Sequence, residues 1–253
     1  MLNYIKSECY RALRNRNFKI LVVVCALLMA AMVVVLKFSS STPTFPYANT
    51  RFALGNIYMQ MNLLLAVTIV VSAFMHDNEE KYHTIKHSVA FGIPRTVIFM
   101  GRFMVQAIAS ILIYLVLVGG FTALSFGMLH HQNAGELTSL INVSLGSFTC
   151  LMAGLAVTHY FLMITENQST AMVSALTVLI IVPTIGNLLG RKVALIQKVM
   201  ELFPLNVITY GGPLIEVEGD VNMGIIKSLL IGACWLAAFL ALGVIRFQKK
   251  EIK

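Results

Sequence analysis

Six long apolar runs, almost free of charge, dictate the class of fold. They cover residues 18–36, 54–75, 103–128, 140–164, 171–188 and 223–245. A helix crossing hydrocarbon needs about 20 predominantly apolar residues, and a charge at its centre costs about 3 kcal/mol. No Asp, Glu, Lys or Arg lies inside these runs except Lys19 and Lys227 near ends, where long side chains snorkel to the interface. The expectation is an all-α polytopic membrane protein of six transmembrane helices forming one domain over 1–253. Pro183 in the fifth run predicts a kink, because proline removes a helix hydrogen bond.

Composition excludes the soluble alternative. Only 12% of the 253 residues are charged, against about 25% in a soluble domain. The net charge of +8 suits nucleic acid in principle, but basic and aromatic residues do not interleave on a polar surface. The expected surroundings are a lipid bilayer, with no nucleic acid. Cys9, Cys25, Cys150 and Cys234 are scattered and form neither a disulfide framework nor a zinc-ligand spacing.

The first run follows a long basic prelude, and Phe38-Ser39-Ser40-Ser41 offers no A-x-A cleavage pattern, so a retained span is expected. Six spans place both termini on one side. With the amino terminus in the cytoplasm, 13 of the 19 Lys and Arg residues fall inside and 6 outside. That is the direction of the positive-inside bias. Before the first span, Leu2, Ile5, Cys9, Ala12 and Leu13 recur at helical spacing among basic residues, predicting an interfacial helix over 1–17. Residues 190–222 form an extracellular insertion, in which Val193 to Phe203 reads as a short amphipathic helix stopped by Pro204. Pieces this short dip into the outer leaflet or cap the bundle, since bare backbone does not face lipid.

Polar residues inside spans are costly and hence informative. Gln106, Ser110 and Tyr114 continue a four-residue spacing from Arg102, and Asn56 and Gln60 repeat likewise in the second run. Two readings stand: packing glue between helices, or a weakly polar substrate path. Gly146, Cys150 and Gly154 make a small-residue face for close helix packing. His159 lies toward the inner end of the fourth run.

Between the second and third runs lies EEKYHTIKHSVAFGIPRTVIFMGR, residues 79–102. Glu79, His83 and His87 share a helical face, so a metal-dependent hydrolase using Glu79, Glu80, His83 and His87 is one reading. Against it, no H-E-x-x-H occurs, and the acidic pair lacks the arginine four residues on that marks CAAX-type proteases, Thr84 standing there. There is no G-x-x-x-x-G-K-[ST] phosphate loop, and no lysine follows a glycine anywhere. Any ATP hydrolysis must therefore reside on another polypeptide. Read as a helix over 79–93, the segment lines Tyr82, Ile85, Val89 and Ile93 along one side, a face suited to a groove on a cytosolic partner.

Glu79 followed by Thr84, then Ile85 and Lys86, the turn Gly92-Ile93-Pro94-Arg95 and Gly101-Arg102 resemble the first cytosolic loop of type-2 ABC exporter permeases. The basic amphipathic start, the insertion before the last span and the tail RFQKKEIK extend the resemblance over the whole chain. His83 stands where the family has glycine, and the aromatic that usually precedes the acid is displaced to Phe74. The resemblance implies a non-catalytic permease with no cofactor of its own. It would pair with a second permease, identical or related, and with two ATPase subunits carrying ATP and magnesium. Residues 79–93 would be the coupling helix, with Glu79, Glu80, Tyr82, Thr84, Ile85, Lys86, Val89, Ile93 and Arg95 as coupling residues. Small permeases of this kind are similar to those of bacterial plasma membranes that serve bacteriocin or lantibiotic immunity, antimicrobial-peptide export or drug efflux. A membrane sensor or anchor keeping only the permease architecture is the other reading.

Overall fold

The computed structural model describes residues 2–39, 47–82, 84–130, 135–165, 167–209 and 221–250. Among them every extended element is helical; an isolated bridge between Asn49 and His130 is the lone β pairing. The helices are α1 (Leu2–Arg14), α2 (Arg16–Ser39), α3 (Thr50–Met59), α4 (Met61–Tyr82) and α5 (Thr84–Ala90). Then α6 (Arg95–Tyr114) runs through a π-helical Leu115–Gly119 into α7 (Gly120–Met128). After α8 (Gly135–Ile164), α9 (Gln168–Leu176) passes through a second π segment, Thr177–Ile181, into α10 (Val182–Gly190). The chain ends with α11 (Ala194–Met200), α12 (described over 204–209) and α13 (Val221–Lys249). Among the described residues five helices are long and apolar enough to cross a membrane, and six if the bent pair α3/α4 counts as one span.

Helix α8 is the hub, with α3, α4, α6, α9 and α13 all packed on it. Small residues make this possible. Gly146 and Gly154 are buried, Cys150 is fully enclosed, and a Cβ at Gly154 would run into the Leu65 side chain of α4. The tightest approach comes from α13, where a Cβ at Gly232 would lie 2.5 Å from the Thr149 carbonyl carbon and 2.6 Å from the Cys150 nitrogen. Gly224, Ser228 and Gly232 repeat every fourth residue of α13, so one smooth stripe meets another. Thr149 Oγ1 and Cys150 Sγ both point to the Ser228 carbonyl, at 3.4 and 3.6 Å.

Several sequence boundaries move. The second run, 54–75, is not one straight span. It starts at Thr50, breaks at Gln60 with a 51° bend and continues as α4 to Tyr82. The Gln60 N–H is shared between the Asn56 and Ile57 carbonyls, and Leu63 restarts the ladder on Gln60 O. Asn56 Nδ2 meanwhile donates to Phe52 O at 2.8 Å, a side chain competing for the helix's own acceptors. The third run begins eight residues earlier than 103, at Arg95, which puts Arg102 inside a helix. The expected kink at Pro183 takes another form: the wider π turns of 177–181 stand next to a proline that has no N–H for the Leu179 carbonyl.

The helix expected over 1–17 stops at Arg14. Asn15 Oδ1 accepts the backbone N–H groups of Asn17 and Phe18, capping α2, while its Nδ2 donates to Phe74 O of α4 at 2.7 Å.

The segment after α10 folds back into the bundle. Helix α11 descends along α10, bringing Met200 onto Gly186 and Gln197 onto Gly190. Asn187 and Asn206 exchange two hydrogen bonds of 2.7 and 2.9 Å, and Asn206 also donates to Met200 O. At the tip, Trp235 Nε1 donates to Leu202 O at 2.8 Å. Trp235 lies 14 residues from each end of α13 (235 − 221 and 249 − 235), about 21 Å at 1.5 Å per residue. The hairpin of α11 and α12 thus reaches halfway along α13, deeper than a surface cap. Residues 210–220, the rest of the predicted 190–222 insertion, lie outside the described residues.

Candidate functional site

At one end of the bundle meet α1, α5, the start of α6 and the close of α13. Ile98, Phe99, Met163 and Phe247 form a buried cluster there, with Tyr4, Ile85, Val89, Ile93, Leu240 and Val244 packed around it. The short helix α5 thus lays Ile85 and Val89 against this cluster and packs chiefly on α6. Its exposed side carries Lys86, His87 and Ala90, and Phe91 at its end is 84% exposed.

The turn that ends α5 follows from its residues. Gly92 has φ +79°, a left-handed conformation that costs little only for glycine. Its N–H bonds Val89 O and the Ile93 N–H bonds Ser88 O, the paired closure of a Schellman motif. Pro94 then sits extended, with ψ 138°, just before α6, where its missing N–H is harmless.

Arg95 opens α6 and reaches across to α13. Its guanidinium donates to Gln248 O and Lys250 O, both at 2.7 Å. These carbonyls close α13, where the last four C=O groups of a helix have no intrahelical donor. Lys250 Nζ in turn donates to Met163 O and Thr165 O at 3.2 and 3.3 Å, capping α8. Two basic side chains thus chain together the ends of α6, α13 and α8.

Seen against the sequence expectations, the coupling residues divide. Ile85, Val89 and Ile93 turn into the bundle, not toward a partner. Covering them there removes apolar surface from water at about 25 cal/mol per Å². Lys86 faces outward, and Arg95 serves as a helix clamp. The helix foreseen over 79–93 is two elements: Glu79, Glu80 and Tyr82 end α4, and Thr84 starts α5. The side chains of Glu79, Glu80, Tyr82 and Thr84, and all of His83, lie outside the described residues, and with them the proposed metal face. Among the described residues no three His, Cys, Asp or Glu side chains gather for a metal.

A family model of ABC-2 family transporter proteins matches residues 4–186. The chain belongs to the ABC-2 transporter family. The match runs from α1 into α10 and so includes α5 and its clamp on α6, while the α11–α12 hairpin and α13 lie beyond it. No curated protein matches the chain. Membership makes this ABC-2 protein a multi-pass membrane protein and a permease component of an ABC transporter, a family whose ATP hydrolysis is typically the work of a partner.

The polar stripe of α6 is enclosed in this ABC-2 subunit. Arg102, Gln106 and Ser110 are buried. Arg102 Nε donates to the Tyr4 hydroxyl at 3.0 Å, and its guanidinium lies 3.9 Å from Glu8, which also holds Arg11 at 2.6 Å. A buried charge is tolerable only with such partners. His159, fully buried, places Nε2 3.1 Å from Phe99 O and Nδ1 2.8 Å from the Gln106 side-chain amide. The carbonyl requires an N–H on Nε2. Gln106 Oε1 stands at Nδ1; a neutral ring accepts there, so the amide must be turned to present its NH₂. Phe99 and Phe103 flank the ring, with centroids 4.6 and 5.7 Å away. Further along, Ser110 and Tyr114 line a mostly apolar cavity of about 20 Å³ between α4, α6 and α8, too small for more than a water. Asn56 bonds within its own helix and Gln60 is exposed at the break.

Sequence reasoning passed over Tyr4, Glu8, Asn15, Trp235 and Lys250 as site residues. Some signals were present. Glu8 is the lone acid before the first span and stands four residues from Tyr4, and Asn15 directly precedes an apolar run, as a cap does. Nothing local connects Trp235 to Leu202 or Lys250 to Met163.

Proposed function

We propose that this chain is the membrane-spanning subunit of an ATP-driven exporter that receives its stroke through α5. The observation that carries this reading is the two-sided placement of α5 in a chain of ABC-2 membership. Its apolar side lies against a buried cluster of α6, α8 and α13 residues, while Lys86, His87 and Phe91 stand exposed. A partner that grips the exposed side pushes on that cluster through the covered one, first of all on α6. That partner is an ABC ATPase, in two copies, holding ATP and magnesium; Glu79, Glu80, Tyr82 and Thr84 flank its seat. The basic end, with both termini, faces the cytoplasm of a bacterial cell, in keeping with the excess of Lys and Arg there.

The substrate path runs between two permease copies. The described interior supports this, since the cavities at Ser110 and at Gln106 are each of about 20 Å³, far below a ligand pocket of about 300 Å³ or more. A hydrophobic drug or an antimicrobial peptide suits a path opened between apolar helices. Gln106, Ser110 and Tyr114 would line it only after α4 and α6 part.

The test is ATP-dependent efflux from vesicles containing the permease and its ATPase. Phe91→Ser should reduce ATPase co-purification at least tenfold while leaving the permease's melting temperature unchanged, and Glu79→Ala or Thr84→Pro should uncouple ATP use from efflux. Normal efflux and ATPase binding in all three variants would sink the assignment of α5.

A further inference from the structure

We propose that the outward side of α1 and the first turns of α2 bind anionic phospholipid headgroups in the leaflet at the basic end of the bundle. The inference rests on the membrane placement of the chain and is independent of the ATPase reading.

One side of α1 is committed to protein. Tyr4 lies on Gly101 and accepts from Arg102, Glu8 is turned inward to Arg102 and Arg11, and Ile5, Cys9 and Ala12 pack on the main core. The other side is open. Lys6, Tyr10, Leu13 and Arg14 are exposed, followed by Arg16, Lys19 and Ile20 on α2. Glu8 is the only acid in residues 2–20, so Lys6, Arg14, Arg16 and Lys19 are exposed with no outward carboxylate from α1 or the first turn of α2.

The surface mixes these charges with large apolar groups, Tyr10 being 64% and Leu13 62% exposed. Arg14 donates to the Tyr10 hydroxyl at 2.7 Å with its guanidinium carbon 6.0 Å from the ring centroid, so the charge is held beside an aromatic face. Such a mixture is that of an interfacial helix, whose apolar groups enter the acyl boundary while its cations meet phosphates.

Position selects lipid over a soluble partner. Only Asn15 separates α1 from α2, and its bonds to Asn17, Phe18 and Phe74 O fix the corner. Immediately beyond, Ile20, Val23, Val24 and Leu27 are exposed on a helix long and apolar enough to span. The basic patch is thus continuous with a lipid-facing surface and stands at headgroup level.

The test is a native mass-spectrometric titration of the full-length protein in neutral detergent with phosphatidylglycerol and, separately, phosphatidylcholine. The wild type should retain phosphatidylglycerol preferentially. K6Q/R14Q should weaken that binding about 30-fold, at about fivefold for each basic residue near a charged surface, and K6Q/R14Q/R16Q/K19Q should abolish the preference. The double variant keeps Arg11, Arg16 and Lys19 to orient the chain, so it is informative even if the quadruple variant inserts poorly. R191Q/K192Q/K198Q, at the other end, should change nothing. No preference in the wild type, undiminished phosphatidylglycerol binding in K6Q/R14Q, or an equal loss in the control would overturn the proposal. Displacement of the lipid by millimolar inorganic phosphate would assign the site to a free anion and overturn it as well.

Discussion

Arg95→Ala removes the donor that closes α13. The guanidinium spans two carbonyls, Gln248 O and Lys250 O, each at 2.7 Å. A hydrogen bond from a charged donor contributes about 1.5–3 kcal/mol when its acceptor would otherwise be dry. Arg95 is only half-buried, so water replaces part of what is lost and the expected cost is about 1–2 kcal/mol. The cost is local, because α13 remains packed on α8 through Ser228 and Gly232, more than 15 residues before Gln248. Opening of the last turns of α13 should become about 5- to 30-fold more frequent. Hydrogen exchange read by mass spectrometry reports such local opening. Peptides covering 243–250 should exchange faster by that factor, and those covering 155–165 should follow modestly because Lys250 caps Met163 and Thr165. Peptides around 225–235 should not change. Lys86→Ala, on the exposed side of α5, serves as the control. Unaltered exchange at 243–250, or an acceleration spread evenly over α13, would refute the clamp.

Trp235→Phe should keep the stacking on Phe239 but leave Leu202 O without its donor, lowering stability by about 1–2 kcal/mol; thermal unfolding in detergent measures it, and a melting temperature equal to wild type would argue against a deep hairpin. Gly92→Ala forces a Cβ into φ +79° and should cost about 1 kcal/mol. Nothing lies within 4 Å of that Cβ, so the effect is backbone strain alone, and Gly92→Asn, which tolerates this region better, should recover part of it in the same melt. His159→Leu leaves the Gln106 amide buried without its partner and should destabilise by about 1–3 kcal/mol; a double variant with Gln106→Leu should regain stability, and strictly additive losses would contradict the pairing.

Features set by neighbouring residues are legible in the sequence. Gly92 and Pro94 mark a turn because their own backbone preferences do so wherever they stand. The four-residue spacing of Gly146, Cys150 and Gly154 implies a smooth helix face whatever packs on it. The apolar side of α5 was equally visible as a pattern at Ile85, Val89 and Ile93, yet its target was not: periodicity shows that a face is to be covered and is silent about what covers it. Here the bundle does, which leaves Phe91 and Lys86 exposed. The break at Gln60 also escaped, since neither proline nor glycine stands at 58–62.

Hydrocarbon-compatible length made this chain a membrane protein before any fold was known, because backbone groups in lipid leave a run of apolar residues no choice but helix. Tertiary contacts alone decided that Arg95 clamps α13, that Lys250 caps α8, that Trp235 draws a hairpin halfway along the last helix, and that Glu8 and Tyr4 shelter Arg102. Each of those joins residues 33 to 155 positions apart. The energy of such a bond depends on where two distant groups are brought, which no local window of sequence contains.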